Sequence, residues 1–168
     1  SEDDEPDFPP TIIVVLFWQL LSEGHYLPNQ DITREQPQNS TSVNLLDDFL
    51  QYITVLSRIT CRTSTDASIR VANTILEVLQ GPCVQNQSYL ALQTDLLETM
   101  NRVMRQKAPT REMEVKLKGG EITEGDALDS QEYELKTVIV DIFRGLLEGQ
   151  PKKSPVYDIA LTLFREIV

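Results

Sequence analysis

Residues 66–82 read Asp66-Ala67-Ser68-Ile69-Arg70-Val71-Ala72-Asn73-Thr74-Ile75-Leu76-Glu77-Val78-Leu79-Gln80-Gly81-Pro82. The apolar residues Ile69, Ala72, Ile75, Leu76 and Leu79 recur at steps of three and four, the period of one face of an α-helix. Gly81 frees the backbone to leave the helix and Pro82 cannot continue it. The stretch therefore predicts a helix from Asp66 to about Gln80 with a firm stop.

The same period extends outward on both sides. Upstream, Val43, Leu46, Phe49, Leu50 and Ile53 predict a helix from an N-cap at Ser42 to about Arg58. Before it, Pro10–Glu23 reads as a helix with proline in its first turn and Gly24 just past its end. That helix is apolar on most faces (Ile12, Val15, Leu16, Trp18, Leu20), so a central, buried position is expected. Downstream, Leu92, Leu96, Met100, Val103 and Met104 predict one helix from Asn86 or Ser88 to about Lys107. Met100 and Met104 read as core residues. A further helix is expected from Asp129, with Glu132 completing a capping box, to the stop at Gly149. Its stripe is Leu135, Val138, Ile139, Ile142, Phe143 and Leu146. The last begins at Ser154 with Pro155 at its first position.

Two stretches lack the period. Asn29–Thr41 is a polar link, and Arg111–Leu128 carries Gly119, Gly120 and Gly125 among charges, as a flexible surface loop does. Residues 113–117 alternate like a strand but would have no partner strand. The expected fold is all-α, with about six helices in antiparallel pairs forming an armadillo-like α-solenoid segment or a bundle. Residues 1–9 read as an acidic, disordered lead and residues 10–168 as a single helical domain. The chain does not open on Met and is expected to be a segment of a longer protein.

Composition narrows the function. The chain is 40% hydrophobic and 24% charged, which is globular, and its net charge of −11 disfavours nucleic acid and the anionic cytosolic membrane leaflet. The longest apolar run, Thr11 to Leu21 with Gln19 inside it, is too short to span a bilayer and lacks the flanks of a signal peptide. Cys61 and Cys83 read as reduced thiols without zinc-ligand spacing. His25 is the only histidine, and no phosphate-binding glycine loop is present, so catalysis is not expected. The sequons at Asn39 and Asn86 are expected to stay unmodified in a cytosolic domain.

One feature is physically odd. Carboxylates stand at or near three helix ends: Glu23 before Gly24, Glu77 four residues before Gly81, and Glu148 before Gly149. A helix C-terminus carries partial negative charge and disfavours glutamate. Carboxylates beside unpaired carbonyls make a hard-oxygen environment suited to Ca²⁺, which would offset that penalty. Exposed glutamates with no ligand account for the same positions more simply, since glutamate is common in helices and an exposed one loses little there, and no EF-hand loop is present.

Residues 76–87, Leu-Glu-Val-Leu-Gln-Gly-Pro-Cys-Val-Gln-Asn-Gln, resemble the Glu-x-x-Gln-Gly-Pro-Cys-x-x-Asn-Gln signature of the inositol-trisphosphate and ryanodine receptors, in their RIH-associated domain. Residues 17–25, Phe-Trp-Gln-Leu-Leu-Ser-Glu-Gly-His, are similar to that family's Leu-Gln-Leu-Leu-Cys-Glu-Asn-His helix end. Leu146-Leu147-Glu148-Gly149 is similar to a stretch of the ryanodine branch. The three occur in the family's order, over roughly residues 10–168. Gly24 stands where the family has Asn, Val78 where an aromatic residue often follows the glutamate, and 111–128 looks like an insertion.

The resemblance implies a cytosolic regulatory module of an intracellular Ca²⁺-release channel, on the cytosolic face of the endoplasmic or sarcoplasmic reticulum. It implies that Glu23 and Glu77 ligate the activating Ca²⁺ and that His25 and Gln80 neighbour the site. Glu148 matches a residue on which Ca²⁺ sensitivity depends, through packing or long-range charge. A further ligand would be a carbonyl from a C-terminal domain after the pore, so the site in this chain is incomplete. The whole channel would be a homotetramer, with no membrane insertion by this segment. A structural or protein-interaction solenoid with no Ca²⁺ site of its own is the alternative.

Overall fold

The computed structural model describes residues 10–59, 61–106 and 125–167. Among these residues the chain is all helical. The elements are α1 (Pro10–Ser22), α2 (Leu27–Asp31), α3 (Leu45–Leu56), α4 (Arg62–Leu79), α5 (Val84–Leu92), α6 (Leu96–Arg105), α7 (Gly125–Leu147) and α8 (Pro155–Ile167). No described helix is long and apolar enough to cross a membrane.

The helix read from residues 66–82 is the hub of the fold. α4 packs against α1, α2, α3, α5 and α7, while α8 lies against α5, α6 and α7. Val71, Ala72, Ile75, Val78 and Leu79 are fully buried. They meet Leu46 and Ile53 of α3, Leu90 of α5, Met100 of α6 and Ile139 and Leu146 of α7 in one continuous core. Burying each large aliphatic side chain stabilises the fold by about 1.5–3 kcal/mol. Buried hydroxyls on α4 are satisfied locally: Ser68 Oγ donates to the Ser64 carbonyl at 2.8 Å and Thr74 Oγ1 to that of Arg70 at 3.0 Å.

The helix starts depart from expectation where an unexpected residue supplies the cap. α4 begins at Arg62, because Cys61 caps it: its Sγ accepts the Ser64 N–H and its own N–H donates to Ser64 Oγ. α3 begins at Leu45, capped by the Asn44 side chain, whereas Ser42 accepts the Gln36 N–H instead. The Tyr89 hydroxyl accepts from Asn44 Nδ2 and donates to Asp47 Oδ1, tying α5 to this start. Burial, and then Asp47, push the Tyr89 pKa up. Ser154 does cap α8, accepting the Tyr157 N–H at 3.1 Å.

Three elements differ more deeply. The helix expected from Asn86 or Ser88 to Lys107 is two helices, α5 and α6. Thr94 Oγ1 donates to the Leu90 carbonyl at 2.6 Å and accepts the Leu96 N–H, so a side chain competes for the backbone groups and the helix breaks. The polar link from Asn29 contains part of a short helix, α2, with Pro28 in its first turn. α7 reaches back to Gly125, so Asp129 lies within it and the proposed loop ends earlier. The remainder of that loop and the acidic lead 1–9 lie outside the described residues.

The expectation that the first helix is central is overturned. Only Ile12, Val15 and Ser22 of α1 are buried, while Ile13, Val14, Phe17 and Leu20 are exposed. The helix is apolar all round, but α4 covers one side only. The contrast is measurable by urea unfolding of the chain. Ile75→Ala should cost about 2–5 kcal/mol, whereas Ile13→Ala should change stability by about 0.5 kcal/mol or less. A comparable loss in both variants would contradict the peripheral placement of α1.

Candidate functional site

α4 ends in a turn that touches two other turns. Gln80 is extended, Gly81 has φ +91°, and the Cys83 N–H returns to the Leu79 carbonyl at 3.0 Å before α5 begins. A Cβ on Gly81 would lie 2.5 Å from His25 Cβ. The α4–α5 turn is thus packed directly on the turn that ends α1. There Gly24 has φ +84° and His25 φ +55°. The left-handed region is uncommon outside glycine, though histidine enters it more readily than most residues. On the other side, a Cβ on Gly149 would lie 2.7 Å from Pro82 Cγ, where α7 ends. The Gly-Pro pair fits between two neighbouring helix ends as well as stopping its own.

Three buried amides hold the carbonyls at these ends. Gln30 Nε2 donates to the Glu77 carbonyl at 2.7 Å and to the Gln80 carbonyl at 2.6 Å. Its Oε1 finds no donor, so the two carbonyls alone set the orientation of the amide. Asn86 Nδ2 donates to the Val78 and Gln30 carbonyls, each at 2.9 Å, and its Oδ1 accepts from Arg34 Nη1 at 2.6 Å. Gln87 Nε2 donates to the Gly145 and Glu148 carbonyls at 2.8 and 3.0 Å, and its Oε1 accepts from Gln150 Nε2. Gln30, Asn86 and Gln87 are all fully buried. Asn86 and Gln87 have both amide nitrogen and oxygen paired, as a stabilising buried amide needs, while Gln30 pairs through Nε2 alone. Asn86, with its amide nitrogen so engaged, is closed to glycosylation in the folded chain.

This frame places each residue singled out in the sequence. His25 Nε2 stands 3.2 Å from Glu77 Oε2, with the two side chains 38% and 21% exposed. The α1 end and the α4 end therefore meet side chain to side chain, 52 residues apart in sequence. Glu23 is exposed, two residues before His25, and its carboxylate has no partner among the described residues. Gln80 is half-buried; its carbonyl is taken by Gln30, and its Cγ lies 3.9 Å from where a Cβ on Gly145 would stand. Glu148 is exposed, and its backbone carbonyl, not its carboxylate, joins the network through Gln87. Among the described residues, no three His, Cys, Asp or Glu side chains gather as a metal site. Cys83 is buried and its pKa is raised chiefly by that burial, which disfavours the thiolate a metal would need.

The described residues of this chain do not by themselves gather a cation's ligand set. The Glu77 and Gln80 carbonyls are committed to Gln30, so the charged oxygens on offer from the residues singled out are the carboxylates of Glu77, which His25 touches, and of the exposed Glu23. Ca²⁺ takes about 6–8 oxygens, more than two carboxylates provide. The donor chemistry fits Ca²⁺, and the number of donors fits a partial site. Gln30, Asn29 and Arg34 escaped sequence reading. Asn29 Nδ2 donates to the Leu21 carbonyl at 2.9 Å, and Arg34 also holds Asp31 and Gln85. Their stretch is polar and aperiodic, and nothing local distinguishes a buried amide there from an exposed one.

The family model described as RyR and IP3R Homology associated matches residues 10–104. The chain belongs to that family. The match covers α1 to α5 and nearly all of α6 and includes Glu23, His25, Glu77 and Gln80, while α7, Glu148 and α8 lie beyond it. Comparison with curated proteins and with solved structures gives no match. The resemblance read from the Gln-Gly-Pro-Cys motif and the Glu-Gly-His helix end thus agrees with the family match over the residues that both cover.

The amide frame is testable by itself. Gln87→Leu should destabilise the chain by about 1–3 kcal/mol, because the Gly145 and Glu148 carbonyls and the Gln150 amide lose their partner. The exposed Gln93→Leu should change stability by about 0.5 kcal/mol or less. Thermal unfolding of the two variants checks the difference, and equal midpoints would show that Gln87 does not act as a cap.

Proposed function

We propose that this chain is a non-enzymatic cytosolic regulatory module of an intracellular ligand-gated Ca²⁺-release channel. In this reading Glu23 and Glu77 contribute carboxylates to the activating Ca²⁺ site. A carbonyl from a C-terminal domain of the same channel supplies a further ligand. The channel is a homotetramer in the endoplasmic or sarcoplasmic reticulum membrane. Family membership supports the channel setting, and the approach of His25 to Glu77 supports the site. That contact brings the Glu23-Gly24-His25 turn to the carboxylate of α4 with the nearby backbone already fixed by Gln30. His25 would orient the Glu77 carboxylate, as hydrogen-bonding neighbours orient carboxylate ligands in metal sites.

Activation follows from linkage. An ion shared between this module and a pore-linked domain favours whichever channel arrangement brings the two closer. The ion's differential affinity for the two arrangements sets the size of the shift. Weak binding to the chain alone is expected, at about 10⁻⁴–10⁻³ M, because the ligand set is partial.

A structural or interaction module with no Ca²⁺ site is the second reading. It is favoured by the absence of a three-ligand group among the described residues. The two readings separate in the full-length channel carrying Glu23→Gln with Glu77→Gln. The Ca²⁺-site reading predicts loss of activation by Ca²⁺, with channel assembly unchanged on size-exclusion chromatography. Activation at the wild-type Ca²⁺ concentration would overturn it.

A further inference from the structure

α1 runs for thirteen residues, Pro10–Ser22, without a charge. On the side away from α4, Ile13, Val14, Phe17 and Leu20 are 57%, 49%, 58% and 68% exposed. Ile13, Phe17 and Leu20 follow i, i+4, i+7 spacing and form one stripe. Beside the stripe, between α1 and α3, runs an open apolar groove of about 420 Å³. Val14, Leu45, Phe49 and Tyr52 line it, and Asp48 is the one charged residue on its walls. A slot between two helices with an apolar stripe on one lip is the shape that receives the apolar face of another helix.

Charge decides what kind of helix. The described residues 10–57 hold five acidic side chains and a single Lys or Arg, Arg34, which Asp31, Gln85 and Asn86 already engage. Asp47 and Asp48 open α3, and Glu23 follows α1, so charges at both ends of the surface are negative. A second copy of the chain would bring the same negative border to its partner. An anionic membrane would be repelled likewise. A basic border would be attracted and would add specificity to the apolar contact.

We propose that the outer face of α1 and the α1–α3 groove dock an amphipathic helix whose apolar stripe is flanked by lysine or arginine. Phe17 and Leu20 anchor the contact, and Asp48 selects the basic flank. This surface is separate from the Glu77–His25 contact and does not depend on Ca²⁺.

The chain carries its own reporter. Trp18 is the only tryptophan, half-buried on α1, and its ring meets Phe17 edge-on with centroids 5.8 Å apart. The whole 168-residue chain would be titrated with a synthetic helical peptide bearing a leucine stripe and lysine flanks. A second peptide has the same stripe with glutamate flanks. The expected result is a saturable blue shift of Trp18 emission with the lysine peptide and at least about tenfold weaker binding of the glutamate peptide. Leu20→Asp should weaken the lysine peptide by about tenfold or more, with unchanged far-ultraviolet circular dichroism. That variant adds a negative charge, so attraction by charge alone would strengthen instead. Ile13→Asp provides the same test should Leu20→Asp fail to fold. Equal affinity for both peptides, undiminished binding to the variants or no change in Trp18 emission would overturn the proposal. So would a dimer of the chain by light scattering without peptide, or binding to anionic vesicles in preference to the lysine peptide.

Discussion

The carbonyls at the C-terminal ends of α4 and α7 have to be satisfied away from water, and three buried side-chain amides do it. A helix leaves its last four carbonyls without intrahelical partners. α4 is central and its last turn is partly enclosed, so water cannot serve them all. Gln30 and Asn86 take the carbonyls of Glu77, Val78 and Gln80, and Gln87 takes two at the end of α7. Gly81 and Pro82 then allow the helix ends to approach closely enough for those bonds to form. The rest of the architecture hangs on this junction, because α1, α2, α5 and α7 all reach α4 near it or pack along its length.

The same arrangement divides the labour within the Gln-Gly-Pro-Cys-x-x-Asn-Gln stretch. Gln80, Gly81, Pro82, Asn86 and Gln87 are engaged with backbone or turns, and Cys83 is buried with its thiol favoured over the thiolate. Glu77 alone presents a charged group outward, held by His25. A rigid frame of amides behind one accessible carboxylate is a reasonable design for a ligand that must be placed within an ångström or less of its optimum. It also explains why a signature with so many polar residues yields so few potential ion ligands.

The sequence was legible where the physics is local. The 3.6-residue period, Gly81-Pro82 and Ser154-Pro155 revealed α4, its stop and the start of α8. The resemblance singled out Glu77 and His25, whose contact is seen, and also Glu23, which is exposed and makes no hydrogen bond to either among the described residues. Non-local features were illegible. Gln30 caps a helix about fifty residues away, and α5 separates from α6 through the Thr94 hydroxyl with no glycine or proline at the break. α1 was expected at the centre because hydrophobicity states that a face needs cover, but does not state which element covers it.

The only histidine reports on the centre of the account. His25 ring resonances can be followed by ¹⁵N–¹H NMR while the chain is titrated with Ca²⁺ to about 10 mM, tenfold above the weak end of protein Ca²⁺ sites. The account predicts a saturable shift of those resonances, as an ion bound by the Glu77 carboxylate perturbs the imidazole hydrogen-bonded to it, and its loss in Glu77→Gln. Resonances that stay fixed throughout the titration, or that shift equally in Glu77→Gln, would contradict a Ca²⁺ site at the meeting of α1 and α4.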